Sequence, residues 1–465
     1  MRAVEPLRPT CARNTTFLWL TVVLAGLCIR PDLAGVTSLV RGLGLSGASY
    51  HCLLHFFHSS ALRLDTLTLL WSRTLERILA RRLVRVKGRP ILLVDGLKRG
   101  KEGRKMPAVK SLHQESGSNS KASFIMGHSI QAVALLAQAA GVCMAVPVTA
   151  RIHEGLRWSN RDRRTLLDKL GSLILGLHWS EPVLVVADAY YAAAKFARTL
   201  LGQGHHLVTR VRTTAVAYFP EPSRGAKRRG RPKTYGNKTK LKTWFRHARQ
   251  FTKAPSPVYG EKDVTLGYLS ADLLWRQLGR VVRFVWVDHP TRGRMVLLCT
   301  DVTLEPLEIL RLYGWRFKIE VGFKAAIHTV GAYAYHFWMQ DMSPIERGSG
   351  KQHVHHKSEA YRQNIRRKLG AYERHIQLGL IAQGLMQYLA LHFRRVAWFN
   401  LHTYMRTAVP QKPPSEWVVS QALCHTWPEF LRSSAQSLSL KKFLASKTDP
   451  RFCRYSDAFN LDKVA

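Results

Sequence analysis

The chain has 465 residues, 46% of them hydrophobic, and sets 71 Lys and Arg against 30 Asp and Glu. That length and apolar content exclude a disordered tail and allow two or three folded units. A formal net charge of +41 exceeds what solubility needs and points to a polyanionic partner, either nucleic acid or an anionic membrane surface.

Seven cysteines, Cys11, Cys28, Cys52, Cys143, Cys299, Cys424 and Cys453, are odd in number, scattered, and never spaced C-x-x-C. This argues for reduced thiols in a cytoplasmic protein and against a zinc knuckle or a disulfide framework. The apolar run FLWLTVVLAGLCI, Phe17 to Ile29, is too short to span a bilayer and reads as a buried helix rather than an export signal.

Up to about Lys87 the apolar residues recur three and four apart, as in TSLVRGLGLSGASYHCLLHFFH and LDTLTLLWSRTLERILARRL, which predicts a small helical bundle. The segment GLSGASYHCLLHFF carries the turn and following helix of a helix-turn-helix, a device equally common in bundles that touch no DNA. From Pro90 the period changes. ILLVD (91 to 95), SIQAVALLAQA (129 to 139), VCMAVPVTA (142 to 150), VLVVAD (183 to 188) and HLVTRVR (206 to 212) read as strands, with amphipathic helices in RDRRTLLDKLGSLILGL and YYAAAKFARTLLG. The order β, β, β, α, β, α, β predicts an α/β sheet whose first and fourth strands lie side by side at its centre.

Residues 224 to 253 hold twelve Lys or Arg and no acid. Such a run is either a solvated loop or a strip lying on phosphates, and RGRP, with Arg229 and Arg231, matches the core of an AT-hook. The strands of VTLGYLS and RVVRFVWVDH, continuing to RMVLLCT, make 213 to 300 a β-rich insertion. DVTLEPLEILRLYGWRFKIEVGFKAAIH then reads as one helix, capped by Asp301 or Thr303 with Pro306 in its first turn. A polar loop near 343 to 358 holds His353, His355 and His356, a cluster that binds metal or simply stands in solvent. An amphipathic helix through HIQLGLIAQGLMQYLALHF and a Pro-punctuated tail follow. The expected division is 1–88 (helical, DNA-end binding), 89–212 (first part of the core), 213–300 (basic insertion), 301–400 (second part of the core) and 401–465 (helical tail, oligomerisation).

At ~100° per residue, Tyr313, Arg316, Glu320 and Lys324 share one helical stripe, beside an apolar stripe of Trp315, Ile319 and Phe323. An ion-pair ladder on the surface would explain Glu320 alone. Asp95 and Asp188, however, each close an apolar strand, where side chains reach the crevice in which α/β proteins bind ligands. Three clustered carboxylates repel unless a cation joins them, and oxygen-only donors suit Mg²⁺ or Mn²⁺. Two such ions activate a water or a 3′-hydroxyl and stabilise the departing oxygen in an attack on phosphorus.

The motifs LLVDGLKRG, VVADAYYA and YGWRFKIEVGFK resemble those of DDE transposases of bacterial insertion sequences, a resemblance covering about Pro90 to Met342. Tyr313, Arg316 and Glu320 match the Y-(2)-R-(3)-E signature of members with a β-rich insertion; the Lys that completes it is Ile327 here, with Lys324 one turn nearer. The resemblance implies an RNase H-like mixed sheet flanked by helices, with Asp95, Asp188 and Glu320 as catalytic metal ligands and Tyr313, Arg316 and Lys324 on DNA. It implies cleavage at transposon ends and transfer to target DNA by a homodimer or higher oligomer on double-stranded DNA, with no membrane partner and a nucleoid-associated, cytoplasmic location. Trp244 and Trp286 are candidates for stacking on a flipped base. His113, Glu115, Asn119, Lys121 and His128 follow the first Asp, where they orient ligands, touch DNA (Lys121) or cap turns. A nuclease or resolvase that never joins ends, and an inactive DNA-binding derivative, remain alternatives; a peripheral membrane protein lacks the basic amphipathic helix it would need.

Overall fold

The helical periodicity of the first eighty residues is realised in α1 (Asn14–Ile29), α2 (Gly35–Gly42), α3 (Ala48–His58) and α4 (Leu64–Ile78) of a computed structural model. The structure describes residues 3–114, 122–220, 234–433 and 438–451. α1 is apolar on every side and buried from Trp19 to Ile29, the behaviour of a core helix. Among the described residues no helix is long and apolar enough to cross a membrane.

Strands β1 (Arg85–Val86), β2 (Arg89–Gly100), β3 (Lys110–His113), β4 (Phe124–Ala139), β5 (Val142–Ile152) and β6 (Leu156–Arg157) follow, then α5 (Leu166–Leu175), β7 (Leu184–Ala187), α6 (Ala194–Leu201) and β8 (His206–Val211). Next come β9 (Val216–Pro220), β10 (Tyr235–Lys240), β11 (Thr252–Pro255), β12 (Thr265–Trp275), β13 (Arg280–His289) and β14 (Gly293–Cys299). The chain continues through α7 (Pro306–Trp315), α8 (Phe317–Ala325), β15 (Gln352–His353), α9 (Glu359–His392), α10 (Arg394–Phe399), α11 (Glu416–Ser433) and α12 (Leu438–Ala445). The class is mixed α/β, as the alternation of periods predicts.

Two compact units divide the chain: Met1–Leu83, Gly96–Arg163 and Val321–Ala465 in the first, Val84–Asp95 and Arg164–Glu320 in the second. In the first, β4 pairs antiparallel with β5 and β3, and α4 and α9 pack on β5. α9 begins sixteen residues before the apolar stretch that predicts it, because Ser358 caps it by accepting from Tyr361 N, and its first turns are polar and basic. Those turns carry no apolar stripe for periodicity to detect.

In the second unit β2, β7 and β8 are parallel neighbours, with Ile91 to Val94 opposite Leu184 to Ala187 and these opposite His206 to Thr209. The first and fourth predicted strands are therefore adjacent. Strands β14, β13 and β12 continue the same sheet from β8, antiparallel, so the β-rich segment extends the core sheet edge to edge. Thr165 and Asp168 form a capping box that starts α5, satisfying two otherwise orphaned backbone donors.

Two local expectations are corrected. Asp95 does not end its strand: β2 runs on to Gly100, and the Lys101 amide donates to Met126 O of β4 at 2.9 Å. A fresh pairing partner thus takes over beyond the point where β7 stops. The long helix of 301 to 328 is also not one element. It starts at Pro306, breaks at Arg316, whose amide donates to Tyr313 O at 3.1 Å, and widens into a π turn over Ala326–Val330. Gly331 ends that turn at φ +65, and a Cβ there would lie 2.7 Å from an Arg30 guanidinium nitrogen that donates to Val330 O. Only glycine meets both conditions.

Asp301 caps a turn rather than the helix. Its Oδ1 accepts from Thr303 N at 2.9 Å and Thr303 Oγ1 at 2.7 Å, while Oδ2 pairs with Arg89 at the start of β2. Burial alone would raise this carboxyl, but the Thr303 and Arg89 bonds hold it down to about 2. A depressed carboxylate pKa stabilises the fold above the unfolded value and loses that contribution as pH falls through about 2. Asp301→Asn is expected to cost ~2 kcal/mol near neutrality and to narrow its gap from the parent on acidification, measured by urea unfolding across pH.

Candidate active site

The parallel register decides what meets at the carboxyl end of β7. Val94 lies opposite Ala187, so the next residues, Asp95 and Asp188, stand on neighbouring backbones ~4.8 Å apart and face the same side of the sheet. Asp188 leaves the strand at once: its Oδ1 accepts from Ala189 N at 2.6 Å, capping the 3-10 turn Ala189–Tyr191. Its carbonyl accepts from Thr209 Oγ1 of β8 at 2.7 Å. Thr209 is fully buried and clamps the turn, a role that no motif in the sequence signals.

Arg316 brings in the third acid. Its Nη1 lies 3.1 Å from Asp95 Oδ2 and its Nη2 lies 2.6 Å from Glu320 Oε1. The side chains of Asp95 and Arg316 are 17% and 19% exposed, whereas Glu320 is 46% exposed. Burial works to lower the guanidinium pKa, yet the Asp95 and Glu320 carboxylates outweigh it and the net shift is upward. The same helix turn aims Tyr313 inward. Burial raises its phenol; Arg316 and Arg210 oppose that and the Asp188 carboxylate adds to it, leaving it raised. Tyr313, Arg316, Asp95, Asp188 and Glu320 thus form one electrostatic neighbourhood. Lys324 is exposed on the last turns of α8; of the expected apolar stripe Trp315 and Ile319 are buried and Phe323 is half-buried.

The donors are all oxygen, which suits a hard divalent cation. As placed, the Arg316 guanidinium stands between Asp95 and Glu320, and among the described residues no group of three or more His, Cys, Asp and Glu side chains is arranged to hold a metal ion.

Other sequence candidates fare differently. Trp286 is fully buried, donates its indole N–H to Leu241 O at 2.7 Å, and stacks on Trp244 at 4.4 Å between centroids. Trp286 therefore presents no face to a flipped base and is a core residue; Trp244 is wedged between it and Phe219. His128 is buried between Tyr335 Oη at 2.7 Å and Pro107 O at 2.9 Å, and burial pushes its pKa down to about 3, so it serves the core as a neutral ring. His113 lies exposed on β3. His355 and His356 rings stand 3.8 Å apart, without a metal-holding group among the described residues. Glu115, Asn119, Lys121, Arg229 and Arg231, with the AT-hook match, lie outside the described residues.

The family model described as DDE superfamily endonuclease matches residues 6–257, more than half of the chain, and the chain belongs to that family. Asp95 and Asp188 fall inside the matched segment and Glu320 beyond it. A cryo-EM structure of piggyBac transposase in a synaptic complex with hairpin DNA is similar at 10% identity, covering 96% of this chain and 82% of that one, with a TM-score of 0.35. No curated relative matches the chain.

Proposed function

We propose that the chain is a transposase that cuts DNA at the ends of a mobile element and transfers the freed 3′-hydroxyl to a target duplex. The observation that carries this reading is the juxtaposition of Asp95 and Asp188 across the β2–β7 register, tied through Arg316 to Glu320. Membership of a DDE endonuclease family supports the cleavage half of it. In this reading Asp95, Asp188 and Glu320 hold two Mg²⁺ or Mn²⁺ ions. Bound there, the metal would activate the attacking oxygen and stabilise the leaving one.

The chain's own side chains do the rest. Arg316 keeps the carboxylates from repelling one another in the free protein, then grips a phosphate beside the scissile one with its fork of donors. Tyr313, a neutral phenol at physiological pH, donates a hydrogen bond to the same backbone. Lys324 supplies a point charge farther along the strand. The net charge of +41 brings DNA to the surface without regard to sequence. Residues 1–88 recognise the element's ends, and 401–465 join copies of the chain on DNA within the nucleoid.

The test uses the DNA that flanks the chain's own gene, with whatever inverted repeats it carries. In Mg²⁺ the purified protein is expected to nick at the repeat, and a pre-nicked end with a free 3′-hydroxyl is expected to appear joined to a supercoiled plasmid. Cleavage without joining would make the chain a nuclease. No cleavage in either Mg²⁺ or Mn²⁺ would end the proposal.

A further inference from the structure

A concave groove in the first unit, of about 1680 Å³, is walled by residues 99–106, the start of β4 and residues 333–348. Small-molecule clefts occupy roughly 300–1,000 Å³, so this one has room for an extended ligand. Its rim carries two large apolar side chains in solvent, Trp338 at 66% and Phe124 at 61% exposed. A single exposed aromatic is ordinary; two on the rim of one groove are not. Arg99, Arg104 and Arg347 line the same wall, against Glu102 and Glu346. Beyond Trp338 a second hollow of about 330 Å³ adds Arg367 and Lys368 beside Asp341, so the indole stands between two linings in each of which cations outnumber acids.

The backbone that presents the indole is fixed. Met339 N donates to Lys105 O at 3.0 Å, Ile345 N donates to Arg104 O at 2.8 Å, and Lys105 Nζ donates to Gln340 O at 2.9 Å. Phe337 and Met339, on either side of Trp338, are buried, and Tyr372 Oη donates to Phe337 O at 2.5 Å. Only the residue between them is turned out. An aromatic face held rigidly in water beside guanidinium groups is what an unpaired base and its phosphates recognise. In a duplex the bases are already stacked, so the aromatic faces would gain nothing from it.

We infer that this groove binds a single-stranded segment of DNA, with bases stacked on Trp338 and Phe124 and the backbone running from Arg104 and Arg347 across to Arg367 and Lys368. The inference rests on the reading of the chain as a DNA-acting protein but not on its chemistry.

The experiment measures fluorescence anisotropy of a labelled 20-nucleotide single strand, and of its duplex, with the full chain in EDTA, where cleavage is silent. Trp338→Ala is expected to weaken single-strand binding about tenfold while changing duplex binding by less than about twofold, and Trp338→Phe is expected to restore most of the loss. Phe124→Ala makes the same comparison if Trp338→Ala lowers the melting temperature. Unchanged single-strand affinity in both alanine variants, or an equal loss on both DNAs, overturns the inference. So does displacement of the oligonucleotide by a polyglutamate of equal charge at equal concentration, which would make the groove a site for acidic peptides. Failure of Mg²⁺-dependent cleavage with the Trp338 effect intact would sink only the proposed chemistry.

Discussion

Asp95→Asn is expected to lower Mg²⁺-dependent cleavage roughly a thousandfold while leaving DNA affinity in EDTA within about twofold of the parent. The substitution keeps the side chain's size and removes its charge. Asp95 is largely buried on β2, one residue past the Val94–Ala187 pair, so in the proposed reading the loss falls on one of the two acids next to that pair. A thousandfold corresponds to ~4 kcal/mol of barrier, the scale of transition-state charge stabilisation that a metal position supplies. The same change also weakens one of the ion pairs of Arg316, leaving Glu320 at 2.6 Å as its remaining carboxylate partner. Single-turnover cleavage of an end-labelled duplex, with affinity read separately by anisotropy, checks both halves. Cleavage within about tenfold of the parent would remove Asp95 from the chemistry.

Trp71→Ala is expected to destabilise the first unit by ~4 kcal/mol. Trp71 on α4 is fully buried, and its indole N–H donates to Pro147 O of β5 at 3.1 Å. Pro147 lies where the β4–β5 register slips between Val133 and Ala134, a place where a residue without an N–H is tolerated. A Cβ on Gly384 of α9 would approach Trp71 to 2.6 Å, so the helix carries glycine where the indole enters. Removing the ring leaves a cavity and an orphaned carbonyl together. The midpoint of urea unfolding measures the loss, with Trp71→Phe expected to recover the packing but not the hydrogen bond. A loss below about 1 kcal/mol would mean that α9 and β5 collapse into the space.

Much of this was legible in the sequence wherever the signal is local. The α/β class follows from the change of period at Pro90, and the buried α1 follows from an apolar run too short for a bilayer. Arg316 and Glu320 share one helical stripe in the sequence, and Asp188 directly follows β7 as its apolar run predicts, whereas Asp95 lies inside β2 rather than at its end. Of the apolar stripe expected on the helix of 301 to 328, Trp315 and Ile319 are buried and Phe323 is half-buried. The helical periodicity misses the break at Arg316, two residues past Gly314, where the helix gives way before α8 begins at Phe317.

Local patterns say which residues are apolar and which face they share; they carry no information about what lies opposite. Trp286 has the composition of an exposed stacking residue and is buried because Trp244, Phe284 and Leu241 close over it. Trp338 reads as one more aromatic in a loop and is exposed because its two neighbours are anchored inward. The sequence by itself determined the alternation of elements, the charge and the identity of the acidic residues. Only the tertiary structure decided that Val94 pairs with Ala187 just before the two aspartates, that Arg316 spans to Asp95, and that an aromatic-rimmed groove exists at all. The reason is physical: register between distant strands is chosen by the packing of whole faces, an energy summed over many residues that no single segment contains.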